Sequence, residues 1–347
     1  MCAAKRIVLG LSDGVDSAVS ALLLKKQGYE VLGVHLQLGG NEGLESARTS
    51  AREAGISFET ADIRPQLDRY VVQPFISEYL RGRTPSPCPG CNRDVKLPAL
   101  FAIADRLGVD EIATGHYVLK RGERLFMGQT DCDQSYMLAL LRPSQVGRLV
   151  LPLGGMSKTE VRAYADAARL SCAEKPDSRE NCFVHGEHYA EYIRERYSGS
   201  LPGKGDVLYM GKTIDTHEGI YRYTVGQRWK TDIGERRAYV AGIDAEKNTI
   251  SLALWEELFT HKVILENVTF LYPDHPADEF EARIRVRHTR WETPLCRVQL
   301  KNGEACVTTQ TPLRAPAPGQ TAALYAGDML LGGGIVREAL REVRDAT

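Results

Sequence analysis

Several features are missing from the chain, and each absence removes a class of protein. No window approaches the ~18 consecutive apolar residues that a membrane-crossing helix needs. The opening, MCAAKRIVLGLS, lacks the long apolar stretch of a secretory leader and reads as a strand ending in polar turn residues. A cytoplasmic protein with no membrane partner is therefore expected. Strong charge of one sign is lacking too: 44 Lys and Arg stand against 45 Asp and Glu, a formal net charge of −1. No global positive field announces a polyanionic partner, although a local basic face can still do so, because steering depends on where charge sits. Neither common nucleotide loop, G-x-x-x-x-G-K-[ST] or G-x-G-x-x-G, occurs. There is no fixed-period repeat and no low-complexity tract. Hydrophobic content of 43% and charged content of 26% are ordinary for a globular protein. A length of 347 residues suffices for two or three domains.

What is present is a strand–helix alternation followed by a run of strands. RIVLGLS reads as a buried strand, AVSALLLKKQGY as a helix stopped by Gly28, and VLGVHLQL as a second strand. LESARTSAREAGI is a helix ended by Gly55, and FETADI a third strand. ALFAIADRLGV and EIATGHYV repeat the beat, and Ser157 with Glu160 forms a capping box that opens a further helix. Such alternation predicts a parallel sheet covered by helices. SGSLPGKGD, after about residue 198, is a Gly/Pro/Ser linker, and beyond it short strands with turn signals at AEKN and KNGE predict an all-β remainder. The expected class is α/β: a parallel-sheet domain over residues 1–198, a small central β-rich module over 199–258 and a C-terminal β-barrel over 259–347.

Chemistry concentrates in two places. GLSDGVDSAV joins the first strand to the first helix, where backbone N–H groups and a helix N-terminus form an anion cradle. TPSPCPGCNRDVK holds Cys88 and Cys91 in C-x-x-C spacing among three prolines that stiffen the loop. The pattern that follows is helical, so Cys91 is expected near a helix N-terminus with Arg93 and Lys96 close by, all favouring thiolate. As half of a zinc site the pair needs partners, and with no second C-x-x-C the candidates are His185 and His188 after Cys182. Of the eight cysteines, Cys2, Cys172, Cys296 and Cys306 belong to no motif. Arg283, Arg285 and Arg287 alternate by two and are expected to share a strand face that binds phosphate. Tyr221 and Tyr223 read either as base-stacking residues or as core.

The first loop resembles the S-G-G-x-D-S pyrophosphate loop (PP-loop) of ATP pyrophosphatases: Ser12, Gly14, Asp16 and Ser17 match, while Asp13 stands where glycine is usual. An acid there would repel phosphate or demand a compensating cation. Nearly end to end, the chain resembles the tRNA-specific 2-thiouridylases. TPSPCPGCNRDVK, ATGHYV, DQSYML, LPLGGMSKTEVR, AEKPDSRENCFV, HEGIYRYTVGQR and APGQTAALYAGDMLLGGGIV have counterparts in order. That resemblance implies ATP-dependent 2-thiolation of a wobble uridine in the anticodon loop of tRNA. It implies a persulfide on Cys182, supplied by a sulfur-donor protein, and a nucleophile or resolving cysteine at Cys91, the two joining in a disulfide after transfer.

By the same resemblance, ATP contacts fall on Gly10, Leu11, Ser12, Asp13, Gly14, Val15, Asp16, Ser17, Leu36 and Gly115, and Asp16 is a candidate ligand for Mg²⁺. Contacts to the target base fall on Ser86, Pro87 and Cys88. Contacts to tRNA fall on His116, Cys132, Asp133, Gln134, Arg285, Val286 and Gln320. Ser86 replaces a usual Asn, Cys88 occupies a position that is aspartate in some members, and the segment after HLQLGG is shorter than usual. Cysteine at 88 opens an alternative in which Cys88, Cys91 and Cys182 hold an iron–sulfur cluster. A tRNA-binding relative without catalysis and an amidotransferase-like ligase on the same loop are the other readings.

Overall fold

A computed structural model describes residues 5–39, 43–129, 132–176, 181–184, 188–274, 277–287 and 293–340. Five parallel strands form the first sheet, in the spatial order Ser57–Asp62, Glu30–Gln37, Arg6–Gly10, Ile112–Ala113, Leu149–Val150. The central strand is buried on both faces through Ile7, Val8 and Leu9, which explains its unbroken apolar run. Helices Val15–Lys26 and Leu97–Arg106 are among those that cover it. Strand order runs outward from Arg6–Gly10 in both directions, so the chain's winding reverses between that strand and Ile112–Ala113. In sheets of this kind a crevice opens at the carboxyl ends of the strands where the order reverses. The loops leaving those two strands are Leu11–Gly14 and Thr114–His116, the segments singled out above.

The second sheet has four strands, in the order Ala238–Asp244, Thr249–Leu254, Gly205–Tyr209, Lys212–His217. Its core is built on Val207, Ile220, Trp229, Val240 and Ile250. Tyr221 and Tyr223 serve as core rather than as a base-stacking platform. Tyr221 is buried against the cluster of Phe75 and Cys91, and Tyr223 packs on Trp229 with ring centroids 5.1 Å apart.

The third sheet closes into a barrel. Phe259–Phe270, Glu304–Arg314, Leu295–Lys301, Glu279–Arg285, Thr321–Ala326 and Met329–Leu340 pair in that order, and the last returns to the first. A hairpin of the first domain, Val118–Arg121 with Arg124–Met127, adds to the barrel through the pair Met329 and Phe126. The barrel is therefore hydrogen-bonded to the parallel-sheet domain. The approach to the cysteine loop is docked on it as well. Arg83 bridges Glu78, at 2.6 Å, and Glu266 of the barrel, and the Thr84 amide donates to the Pro318 carbonyl at 2.7 Å.

Candidate active site

Gly10 ends the central strand, and Gly14 opens helix Val15–Lys26. Between them, hydroxyls wrap the turn. Ser17 Oγ donates to the carbonyls of Ser12, at 3.2 Å, and Gly14, at 3.1 Å, and accepts from the Ser12 amide at 3.1 Å. Ser12 Oγ accepts from the Gly14 amide at 3.2 Å. Gly115 lies against this turn: a Cβ there would meet the Asp16 carbonyl carbon and the Ser17 nitrogen, both at 3.2 Å. Any larger residue would press into the helix N-terminus that an anion needs. Leu36 lies at the carboxyl end of the neighbouring strand. The cradle thus fits a polyphosphate.

Its two acids are both matched by cations. Asp16 takes Lys158 Nζ at 2.8 Å on each oxygen and the Tyr117 hydroxyl at 2.5 Å, and Asp13 is ion-paired with Lys175. With Lys158 on both of its oxygens, Asp16 does not fit a Mg²⁺ ligand in this arrangement.

The cysteine loop begins at Ser86, which precedes the helical turn Pro87–Cys91. A π-turn, Asn92–Lys96, carries this turn into helix Leu97–Arg106. Pro87 and Pro89 sit in the first turn, where a missing N–H costs nothing. Cys88 is exposed at the surface, and desolvation by the surrounding protein leads the upward shift of its thiol, against the pull of Lys96. Cys91 is buried, 4% exposed, and its thiol is pushed up to about 12, chiefly by burial, against the pull of Lys96. This corrects the expectation of a ready thiolate. The helix starts at Pro87, so Cys91 lies a turn inside it, and Arg93 spends its guanidinium on Asp94 at 2.7–3.0 Å. Asp94 is also held by Arg142 at 2.6 Å.

Lys96 is the residue that ties the site together. Burial lowers its ammonium's affinity for the proton, but Cys182, Cys91 and Cys88 together outweigh this and leave its pKa raised. Among the described residues its ammonium has no hydrogen-bond or carboxylate partner. The same cation, after burial, helps bring His116 down to about 4, so that ring is neutral at physiological pH. His116 is braced by Thr114 Oγ1 at 2.8 Å and by Asn92 Nδ2 at 3.4 Å. Cys182 is exposed; the next two residues, Phe183 and Val184, are buried, and Phe183 makes an edge contact with Phe75 at 5.2 Å. Those anchors hold the thiol at the surface near Lys96.

Zinc gains no support here. His188 accepts the Ala190 amide at 3.3 Å as a helix cap, His185 lies outside the described residues, and among the described residues no cluster could hold a metal ion. The last point applies equally to an iron–sulfur cluster on the three thiols.

Comparison with known proteins assigns the three sheets in turn. Residues 5–186 match the family described as "tRNA methyl transferase HUP domain", 191–253 the "tRNA methyl transferase PRC-barrel domain", and 260–336 the "Aminomethyltransferase beta-barrel domain". The "tRNA-specific 2-thiouridylase MnmA" of Geobacter metallireducens is 37% identical over 98% of this chain and 99% of its own. The protein of the same name from Sorangium cellulosum is 38% identical over 97% and 93%. "tRNA-specific 2-thiouridylase MnmA 2" of Caldanaerobacter subterraneus is 35% identical over 97% and 99%. The chain belongs to the tRNA-specific 2-thiouridylase family.

Several residues given a tRNA role by family resemblance occupy different ground in this member of the 2-thiouridylase family. Asp133 and Arg285 are each 1% exposed and pair with each other at 2.6 Å. The Asp133 carboxylate also accepts the amides of Gly128, at 2.7 Å, and Ser135, at 3.1 Å, and the Ser135 hydroxyl at 2.9 Å. Neither side chain reaches solvent, so neither touches RNA in this arrangement. Val286 is buried in the barrel core. Gln134 and Gln320 spend their side-chain oxygens on the amides of Tyr117 and Ala317, both at 3.1 Å. Cys132 is half-buried. The three arginines do not share an open face: Arg283 is exposed, Arg285 is interior, and Arg287 bends to the Ala315 carbonyl at 2.8 Å. The outward side of that strand lies against the first domain, so the two-residue alternation delivers Arg285 to an interface. Residues 288–292, the end of the basic stretch, lie outside the described residues.

No motif marks Lys158, Lys175, Thr114, Asn92 or Tyr136 as a site residue. Lys158 and Lys175 lie within segments that match the family, but nothing in their spacing says that they face Asp16 and Asp13. Tyr136 lies in DQSYML, and its hydroxyl donates to the Thr321 carbonyl at 2.9 Å and to Ser86 Oγ at 3.2 Å, contacts that the motif does not signal.

Proposed function

We propose that the chain is a tRNA-uridine 2-sulfurtransferase that uses ATP to activate the wobble uridine and a cysteine persulfide to thiolate it, acting in the cytoplasm where tRNA and ATP are available. The observation that carries this reading is that Cys88, Cys91 and Cys182 all act on the charge of Lys96, which has no hydrogen-bond or carboxylate partner among the described residues, beside the hydroxyl-wrapped turn at the sheet's switch point. Loop residues Gly10 to Ser17, with Leu36 and Gly115, would hold ATP. Ser86, Pro87 and Cys88 would meet the base, which must leave its stack to reach them. We also propose domain boundaries at residues 198 and 258, and Mg²⁺ as an accompaniment of ATP.

The uridine C2 oxygen attacks the α-phosphorus. A C2–O–P bond forms, the Pα–O–Pβ bond breaks, and pyrophosphate leaves toward the amides at the helix N-terminus. A persulfide on Cys182 then attacks C2 through its outer sulfur. Cys91 attacks the Cys182 sulfur, the S–S bond breaks toward the transferred atom, and AMP departs with the C2–O bond. The outer sulfur has gained two electrons, the two cysteines have become a disulfide, and two protons are released. A thiol reductant must reopen that disulfide, and a donor protein must reload Cys182. Cys91 starts as a neutral thiol, so its attack needs a cation, and Lys96 supplies it. The same ammonium suits a persulfide anion.

The test is thiolation of an unmodified tRNA transcript with ATP and a persulfide donor, followed by nucleoside mass spectrometry. ATP-dependent 2-thiouridine at the wobble position is expected, with loss of product in Cys182→Ser but retained tRNA binding. Substantial product from Cys182→Ser would overturn the sulfur-carrier role. A broad absorption near ~400 nm in anaerobically prepared protein, lost together with activity on chelation, would favour the cluster route instead.

A further inference from the structure

Asp13 is the departure from pattern that the proposed chemistry leaves unexplained. A carboxylate at that point of the loop would face the phosphates of an ATP held there. Three features of the structure accommodate it. Lys175 forms an ion pair with it. Gly43 makes room for it: a Cβ there would stand 3.0 Å from Asp13 Cγ, and the glycine's φ is +76°. The segment that carries Lys175 is itself held, because Arg162 donates to the carbonyls of Ala173 at 2.7 Å and Lys175 at 3.0 Å. Arg162 stands one turn along the same helix from Lys158, which neutralises Asp16 at 2.8 Å. One helix therefore matches the first acid directly and positions the lysine that matches the second.

We propose that Lys175 is a counter-charge that cancels Asp13, so that the loop meets ATP with two acids and two lysines and no net charge. Lys175 acts through Asp13 and is a positioning residue, not a catalytic one. Both side chains are more than a third exposed, 38% and 41%, so the pair contributes little to folding. Its effect is on the affinity for a polyanion. The inference rests on the assignment of this loop to ATP.

The experiment is a double-mutant cycle on ATP binding and on KM and kcat for ATP, using the full chain with Lys175→Met, Asp13→Asn and the double variant. Lys175→Met is expected to weaken ATP about tenfold in the native background and less than about twofold beside Asp13→Asn. The loss should fall on KM and not on kcat, and Lys175→Arg should restore it. Asp13→Asn alone should tighten ATP about threefold, since it frees a lysine beside the phosphates. Equal losses from Lys175→Met in both backgrounds would overturn the proposal by making Lys175 a direct phosphate contact. So would weaker ATP binding by Asp13→Asn, an isosteric change that remains informative if Lys175→Met does not fold. Failure of the native protein to bind ATP would instead overturn the assignment of the loop, and this inference with it.

Discussion

Replacing Arg285 by methionine distinguishes a structural strut from an RNA contact. The guanidinium and the Asp133 carboxylate are each 1% exposed, and Asp133 belongs to the parallel-sheet domain while Arg285 belongs to the barrel. Removing one partner of a buried pair generally costs about 3–5 kcal/mol, because the other charge is left without its match. Asp133 retains the Gly128 amide, the Ser135 amide and the Ser135 hydroxyl, and methionine fills most of the vacated stem. The expected loss therefore lies at the lower end, about 3 kcal/mol. At a urea dependence of about 2–3 kcal/mol/M, the midpoint of the transition that separates barrel from sheet domain falls by roughly 1 M. Asp133→Asn should cost a similar amount, and the double variant less than the sum, since the two share one interaction. The second arm of the assay is tRNA affinity against salt. A lost phosphate contact lowers the slope of log affinity against log salt by about one, and here the slope should not change. An unmoved urea midpoint together with a reduced slope would refute the strut and return Arg285 to the RNA surface.

Thiol reactivity provides another check. Alkylation of native protein should modify exposed Cys182 well before buried Cys91, and the Cys91 rate should rise with pH throughout the neutral and alkaline range, because its thiol is held up at about 12. In Lys96→Met the Cys91 rate at a given pH should fall further, as the one charge that favours its thiolate is gone. His116 is brought down to about 4 from an ordinary 6.5, so it takes up a proton more readily in the unfolded chain. Its contribution is complete above pH 6.5 and is lost as pH falls toward 4, at most about 3 kcal/mol. His116→Gln should flatten the acid limb of a stability profile measured by urea unfolding. Gly115→Ala places a methyl 3.2 Å from the Asp16 carbonyl carbon and the Ser17 nitrogen, so ATP affinity should fall by about tenfold or more while tRNA affinity is retained. Unchanged ATP affinity would mean that the turn yields where the structure has it packed.

Sequence patterns carry information over short distances, and the division between what was legible here and what was not follows from that. The strand–turn–helix at Arg6–Lys26, the capping box at Ser157 and Glu160, and the left-handed glycine at Gly55 depend on neighbours within a few residues, and all three are found where the pattern places them. The burial of Arg285 depends on Asp133, which lies far away in the chain, and a two-residue alternation contains nothing about what covers a strand's outer face.

The cysteine loop makes the same point at closer range. TPSPCPGCNRDVK suggests a thiol at a helix start with two cations alongside, which predicts a lowered pKa. The chain instead begins its helix at Pro87 and inserts the wide turn Asn92–Lys96. An ordinary α-helix puts i and i+4 on one face, whereas the wide turn shifts that register by a residue and brings Lys96, five positions on, back toward Cys91. Arg93 is drawn off by Asp94. Two nearby cations thus become one, and that one is shared with Cys88 and Cys182. A resting Cys91 is consequently a protonated, buried thiol, and the one charge that favours its ionisation is Lys96. In the mechanism proposed above, such a thiol would resolve the persulfide only after its outer sulfur has attacked the base, with Lys96 offsetting the cost of ionising it.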